Sequence, residues 1–299
     1  SNQIRADILT HIYLQQPDVI SFSCYIWNIS FVKELVPDLK KILPHVDFWA
    51  GGPEVSYDAV EFLKKNPAFF GVMVGVGEET FHELAGYYIE RKPENLKEIR
   101  GVAFHDETKV PDIVHTGWRE LMDLSKVPFA YSNLTEFKNR IIYYESSRGC
   151  PFSCSYCLSS IDKKLRFRDI ELVKNELQFF IDNKVPQVKF VDRTFNCKHD
   201  HAMAIWRYIT EHDNGITNFH FEISADLLRE EELALMKTMR PGLIQLEIGV
   251  QSTNPQTIKA IRRTMDFEKL KGIVEQIHGF GNIHQHLDLI AGLPYEDYD

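Results

Sequence analysis

The chain has 299 residues, enough for about two domains. Its apolar fraction of 44% is that of an ordinary globular protein, and no apolar run reaches the roughly 20 residues a membrane helix needs. The formal charge of −9, with Lys and Arg scattered, argues against a nucleic-acid surface, which needs a concentrated basic patch.

The N-terminus, Ser1-Asn2-Gln3-Ile4, has no signal-peptide pattern and reads as a start partway into a domain. Residues 4–15 then form an amphipathic helical pattern, and 18–24 a short buried strand. Residues 28–43 predict a helix with Asn28 or Ser30 as its N-cap and Pro44 beyond its end. A strand over 46–50 runs into Gly51-Gly52-Pro53, and a helix covers 56–65. A strand over 70–76 ends at Gly77-Glu78-Glu79, followed by a helix over 80–91. The last strand of this series, 101–105, leads through a hairpin-like turn, Asp106-Glu107-Thr108-Lys109, into Ile113-Val114-His115. Strands alternating with helices predict βαβ units and a parallel sheet, whose ligands lie beyond the C-terminal strand ends. Those ends carry Ser21-Phe22-Ser23-Cys24, Gly51-Gly52-Pro53 and Gly75-Val76-Gly77-Glu78.

Residues 116–140 have no clean period and read as a linker. A second series follows over 141–299. Its strands are expected at 141–145, 187–195, 218–225, 243–250 and 283–292. Its helices are expected at 169–183 (capped by Asp169), 200–212, 230–239, 254–263 and 267–280.

Between the strand at 141–145 and the helix at 169–183 lies Cys150-Pro-Phe-Ser-Cys154-Ser-Tyr-Cys157. Three thiolates on one tight loop can serve one small metal centre. A 4Fe–4S cluster usually takes four cysteines, so three leave one iron with an open position. A zinc knuckle would need a fourth ligand, and no Cys or His lies within twenty residues on either side. A disulfide leaves an odd thiol. Cys24 and Cys197 stand far apart and suit a reducing cytoplasm, to which an oxygen-sensitive cluster adds a need for low oxygen. Cys197 reads as a small packed residue.

Side chains alternate faces along a strand. His220, Glu222 and Ser224 share one face of their strand; Gln245, Glu247, Gly249 and Gln251 share one face of the next; His284, His286 and Asp288 share one face of the last. Parallel-barrel strands are usually apolar on both faces. Three polar inner faces predict a wet, ligand-filled lumen, with Ile283, Leu287, Leu289 and their counterparts packed under the helices. His284 and His286 are either satisfied barrel histidines or, with Asp288, a divalent-metal chelate. His220, His284 and His286 are weak candidates for substrate contact or catalysis.

The cysteine spacing, with aromatic Tyr156 before the last thiol, resembles the signature of the radical S-adenosylmethionine (radical SAM) superfamily. The resemblance implies a partial (β/α)6 barrel over 141–299, with SAM chelated at the open iron and split by one electron into methionine and a 5′-deoxyadenosyl radical. It implies that Cys150, Cys154 and Cys157 hold the cluster and that Tyr156 packs near the adenine. Residues 191–196 fall at the family's second-strand motif, where Asp192 matches the acidic residue that meets the SAM amino group. Glu222 and Ser224 match the third strand, facing the ribose or methionine. Glu247, Gly249 and Gln251 match the fourth, where Gly249 admits a close approach of the cofactor, and Asp288 the fifth.

Residues 1–115 resemble the cobalamin-binding domain that precedes many such barrels. Their candidate corrin contacts are Ser21, Ser23, Cys24, Gly51, Gly52, Gly75, Gly77 and Glu78. No Asp-x-His-x-x-Gly loop supplies an axial histidine. Against these patterns the first domain lacks its first strand and the barrel its last, so the chain reads as truncated at both ends. The fold class expected is α/β: a Rossmann-like parallel sheet of cobalamin-binding type followed by a radical SAM barrel. The implied cofactors are a 4Fe–4S cluster, SAM and cobalamin. The implied partners are a small-molecule or unknown substrate and an electron donor such as flavodoxin or ferredoxin, in the cytoplasm of an anaerobic or low-oxygen organism. The implied reaction is radical methyl transfer or a related modification. The alternatives are a tRNA methylthiotransferase-like enzyme and a non-catalytic cobalamin- or SAM-binding sensor.

Overall fold

The computed structural model describes residues 4–92, 94–106, 108, 112–137 and 140–297. The chain divides into two compact units, Ser1–Leu121 and Met122–Asp299. No helix among the described residues is long and apolar enough to cross a membrane.

The first unit runs α1 (Arg5–Gln15), β1 (Val19–Ser23), α2 (Ile29–Ile42), β2 (Asp47–Gly51), α3 (Pro53–Ser56), α4 (Ala59–Lys65), β3 (Gly71–Met73), α5 (Glu78–Glu90), β4 (Val102–His105) and β5 (Ile113–His115). Helix α2 forms because Val32, Leu35, Val36 and Leu39 recur at helical spacing, and all four are buried against the sheet. Asn28 does not cap it with its side chain. Its Oδ1 accepts from Tyr25 N at 2.7 Å and its Nδ2 donates to Ser23 O at 2.8 Å, which closes the turn between β1 and α2. The helix expected over 56–65 is two pieces, because Pro53 suits a first helical turn and starts α3 earlier.

The sheet order is β1-β2-β3-β4-β5. Strands β1, β2 and β3 are parallel, whereas β3–β4 and β4–β5 are antiparallel, so the sheet is mixed and not purely parallel. Strands β4 and β5 lie seven residues apart, too few for the crossover that a parallel pair requires. Part of the expected turn between them, residues 107 and 109, lies outside the described residues.

The second unit runs β6 (Ile142–Tyr144), β7 (Ser147–Arg148), β8 (Arg166–Phe167), α6 (Ile170–Asp182), β9 (Gln187–Phe190), α7 (His199–Glu211), β10 (Asn218–Ile223), α8 (Glu230–Thr238), β11 (Ile244–Gln251), α9 (Pro255–Ala260), α10 (Phe267–Phe280) and β12 (His284–Leu289). Five parallel strands form one sheet in the order β12-β11-β10-β9-β6. Asp169 caps α6, accepting from Glu171 N and Leu172 N at 3.0 Å each.

Strand β11 alternates strictly. Ile244, Leu246, Ile248 and Val250 are buried, while Gln245, Glu247, Gly249 and Gln251 are half-buried on the other face. Beneath the helices, Phe190, Phe195, Trp206 and Phe221 form a continuous aromatic core, with the Phe195 and Phe221 rings 4.4 Å apart. Strand β12 departs from expectation. It ends the sheet order, and Leu287 and Leu289 are exposed rather than packed under a helix.

The stretch read as a linker is anchored from residue 124 onward. Arg168 donates to Leu124 O at 2.5 Å and to Val127 O at 2.8 Å, and Phe129, Tyr131, Leu134 and Phe137 pack on the second core. Arg168 is itself paired with buried Glu176 (Nη2–Oε1 2.5 Å, Nε–Oε2 2.9 Å), which also accepts from Tyr144 Oη at 2.6 Å. Breaking one side of a buried ion pair strands the other charge and costs about 3–5 kcal/mol. Arg168→Met should therefore lower unfolding stability by about 3–5 kcal/mol in a denaturant titration. The double variant with Glu176→Gln should recover a large part of that loss, since the stranded carboxylate is gone.

Candidate functional site

In the second unit the site is built on the C-terminal end of the parallel sheet. The three cysteines lie on the loop between β7 and β8, two short antiparallel strands that clip residues 149–165 into a hairpin (Ser147↔Phe167, Arg148↔Arg166). Cys150 N donates to Asp162 O at 3.0 Å across the base of the loop. Gly149 makes that crossing possible. It adopts φ 96°, and a Cβ on it would lie 2.6 Å from Lys164 O. Cys150 and Cys154 are buried, Cys157 is half-buried, and none is in a disulfide.

Among the described residues no group of three or more Cys, His, Asp or Glu is set to hold a single metal ion. A cubane has other needs. It takes one thiolate at each of three irons, so its cysteines stand apart around a cluster-sized space. Three unpaired thiols on one closed loop, without carboxylates among them, are a donor set that suits an iron–sulfur cubane and suits a hard cation poorly. The chelate considered for His284, His286 and Asp288 is not assembled. His286 Nε2 stands 3.2 Å from Asp288 Oδ1, and His284 is exposed.

Asp192 stands elsewhere than expected. It is fully buried, and its carboxylate accepts from Ser146 N at 2.9 Å, Ser146 Oγ at 2.6 Å and Ser147 Oγ at 2.6 Å. Its oxygens face the chain leading into the cysteine loop and not the lumen. Ser146 Oγ also lies 3.0 Å from His201 Nε2. The serine gives its one proton to Asp192, so the imidazole donates from Nε2. Burial raises the Asp192 carboxyl to about 6 against the serine hydrogen bonds, and burial with the nearby Lys198 charge lowers His201 to about 4.

The remaining sequence candidates fall into two groups. Glu222 and Glu247 face the lumen in ion pairs: Arg193 Nη1–Glu222 Oε2 is 3.0 Å and Lys189 Nζ–Glu247 Oε2 is 2.8 Å. His220 Nε2 lies 3.0 Å from the same Glu247 oxygen. Burial would raise Glu247, but the Lys189 hydrogen bond and charge hold it low. Burial and Lys189 hold His220 low in turn. The second group is turned away or filled. Ser224 is buried and gives its hydroxyl to Asp226 Oδ1 at 2.7 Å. At Gly249 the space a Cβ would take is occupied by Gln251 Nε2 folded back from its left-handed backbone (φ 69°). Tyr156 is partly exposed, with its phenol pushed up to about 12, chiefly by burial.

Sequence reasoning missed His201, Ser146, Lys189 and Arg263. The alternation rule applied to β9 would have placed Lys189 on the lumen face, since it pairs in register with His220. Arg263 lies beyond a short helix and carried no pattern. It donates to Gly249 O, to Tyr156 Oη at 3.4 Å and to Cys154 Sγ at 3.9 Å.

In the first unit the strand-end loops form a second candidate site. Gly52 adopts φ 98° with its absent Cβ directed at Cys24 O, 2.7 Å away. Ser56 Oγ donates to Gly52 O at 2.8 Å and accepts from Gly75 N at 3.2 Å, which stitches two glycine loops together. Ser21 and Ser23 are exposed on one face of β1, Gly51 is buried, and Gly75, Gly77 and Glu78 are half-buried. Cys24 points inward, fully buried, its thiol raised by burial to about 11. Beside these loops stand aromatic side chains the sequence reading did not use. Tyr25 and Trp27 stack at 4.6 Å, and the Trp118 ring lies 3.0 Å from where a Gly75 Cβ would be.

Comparison with known proteins bears on both units. The family model described as the radical SAM superfamily matches residues 144–299, and that described as the B12 binding domain matches residues 1–85. A cobalamin-dependent radical SAM methyltransferase of Streptomyces tokunonensis is 26% identical over 302 residues, covering 94% of this chain and 43% of that protein. The hopanoid C-3 methylase of Methylococcus capsulatus is 24% identical, covering 96% of this chain and 55% of that one. Among solved structures, the cobalamin-dependent S-adenosylmethionine radical enzyme OxsB with aqua-cobalamin bound shares the fold at a TM-score of 0.77 and 19% identity, over 97% of this chain and 43% of that one. The chain spans about half the length of the curated relatives it matches.

Asp192 and His201 have opposite linkage signs in one pH window. A carboxyl whose folded pKa is raised keeps its proton in the native state while the unfolded chain has lost it, so its contribution to stability falls as pH rises from about 4 to about 6. A histidine whose folded pKa is lowered stays neutral while the unfolded chain is protonated, so its contribution rises from about pH 4 to about 6.5. The parent slopes partly cancel. Relative to the parent, Asp192→Asn should make stability climb more steeply across this window, and His201→Asn should make it climb less or fall, each by about 2 kcal/mol in denaturant titrations at pH 4.5 and 6.5.

Proposed function

The chain belongs to the radical SAM superfamily, and from that footing we propose that it is the core of a cobalamin-linked radical SAM methyltransferase acting on a small molecule. The observation that carries the reading is the joint one: a B12-type unit and a three-cysteine hairpin on a radical SAM barrel occur in one chain. Cys150, Cys154 and Cys157 would hold the cluster. Tyr156, Glu222, Glu247 and Asp288 would be the side chains to contact SAM, and Gln251 would join them by unfolding from over Gly249. The first unit would receive the corrin on the loops of Ser23, Gly52, Gly75 and Gly77; nothing lies within 4 Å of where a Gly77 Cβ would be, whereas the Trp118 ring already covers Gly75.

When bound, the cluster with SAM supplies the radical chemistry and the corrin supplies a methyl carrier. The protein's own part is placement and electrostatics. The hairpin and the Asp192 grip fix the thiols before any cofactor arrives. The lumen group of Lys189, His220, Glu247 and His286 offers polar partners to a substrate and holds its own charges in pairs, so that none is left uncompensated in a half-buried space. An electron donor of the flavodoxin or ferredoxin kind completes the proposal, as does a low-oxygen setting for an oxygen-sensitive cluster.

The test is anaerobic reconstitution with iron and sulfide. The parent should hold close to one 4Fe–4S cluster, Cys150→Ala should lose it, and Cys24→Ala and Cys197→Ala should keep it. The reduced, loaded parent should release methionine and 5′-deoxyadenosine from SAM. Iron retained in Cys150→Ala but lost in the Cys24 or Cys197 variants overturns the assignment.

The corrin half has its own measurement. The loops at residues 24–28, 51–58 and 74–79 contain no histidine. Hydroxocobalamin titrated into the chain should bind with a visible spectrum lacking an imidazole-ligated cobalt. Absence of any spectral change at micromolar cobalamin would leave the first unit without this role.

A further inference from the structure

Arg263 joins the cysteine loop to the end of strand β11. Helix α9 ends at Ala260, and the next residues turn sharply. Arg262 takes the left-handed conformation (φ 55°), unusual for a residue with a side chain, and Arg263 N returns to Ile258 O at 3.1 Å. This turn touches the cysteine loop twice. Ser155 N donates to Ile261 O at 2.9 Å, and the Arg263 guanidinium reaches Cys154 Sγ at 3.9 Å and Tyr156 Oη at 3.4 Å through Nη1. Nη2 donates to Gly249 O, and Nε is buried with no partner. The guanidinium is thus held at both of its amino ends, and Cys154 beside it is buried.

We propose that Arg263 sets the reduction potential of the cluster that Cys154 helps to hold, as a cation and N–H donor fixed on its thiolate; the inference rests on the three-cysteine assignment above. One-electron reduction adds a negative charge to the cluster. A positive charge and an N–H···S contact stabilise the more negative state and raise the potential, and hydrogen bonds to the sulfurs are among the protein's chief means of doing so. Burial of Cys154 keeps water from screening the interaction. Arg263 is a positioning and tuning residue. The Gly249 contact keeps the guanidinium from relaxing away when the charge on the cluster changes, and the Ser155–Ile261 bond holds its turn against the loop.

The experiment is a redox titration of the reconstituted chain followed by electron paramagnetic resonance, without added SAM. Arg263→Met should hold iron and sulfide like the parent but be harder to reduce, with at least a tenfold smaller equilibrium constant for one-electron reduction, a downward shift of about 59 mV or more. Arg263→Lys keeps the charge without the fork and should shift by less than the Met variant. If Arg263→Met takes up no cluster, Arg263→Gln, which keeps amide donors without the charge, must show the same downward shift. An unchanged midpoint in a loaded Met or Gln variant overturns the inference. Loss of the cluster in both also overturns it and makes Arg263 a clamp of the loop. A parent that takes up no cluster overturns the three-cysteine assignment together with this inference, whereas a loaded parent with unmoved variants overturns this inference alone.

Discussion

The geometry of the second unit depends on one buried carboxylate. Asp192, at the end of β9, takes the backbone and hydroxyl of Ser146 and the hydroxyl of Ser147, the residues through which the chain leaves β6 for the cysteine loop. A carboxylate without solvent demands hydrogen-bond donors, and among the described residues those two serines supply them. The demand fixes where β7 begins, hence where its ladder to β8 closes, hence where Cys150 enters the loop. His201 secures the serine from the far side and is kept neutral by burial, so the group carries one net charge among three satisfied polar side chains.

Much of the architecture was legible because it rests on periodicity. Helix α2 followed from four apolar residues on one stripe, and the polar face of β11 from a strict alternation over eight residues. What periodicity does not encode was misread. Asp192 was read as facing a ligand because its motif position suggested it. Alternation places a side chain on a face, but it cannot tell an open lumen from an interior already filled by serines. Leu287 and Leu289 are expected under helices by the same rule, yet among the described residues no element covers these two side chains of β12, so both are exposed. The hairpin of β7 and β8 has two residues per strand, too few for any period to register. Arg263 acts through a left-handed turn at Arg262, where glycine or asparagine would have been the usual signal.

The first unit uses the same economy at its strand ends. Ser56, one buried hydroxyl, accepts from Gly75 and donates to Gly52 and so sets the spacing of two loops on neighbouring strands. The glycines leave room, and the serine decides how much. Cys24 serves this arrangement from beneath. Its carbonyl meets the bare face of Gly52 while its thiol faces the core. A larger residue at Gly52 would collide with backbone, which cannot rotate aside as a side chain can. Steric tolerance at the edge of this sheet is therefore set by the main chain.

The cysteine hairpin has a further consequence for how the protein is assembled. It is closed by two short strands, by the bond from Cys150 N to Asp162 O, and by the contacts of Ser155 and Arg263 at its tip, whereas the five-stranded sheet is held by long parallel ladders over an aromatic core. Opening free energies within one molecule follow the number of bonds and the apolar area that each opening exposes. The loop is thus a small cooperative unit on a stiff platform. Its opening would expose less than opening of the sheet, whose amides would stay the better protected from exchange. Loading of any inorganic core on these thiols would then need only a local opening of the folded protein, separate in time from its synthesis and folding.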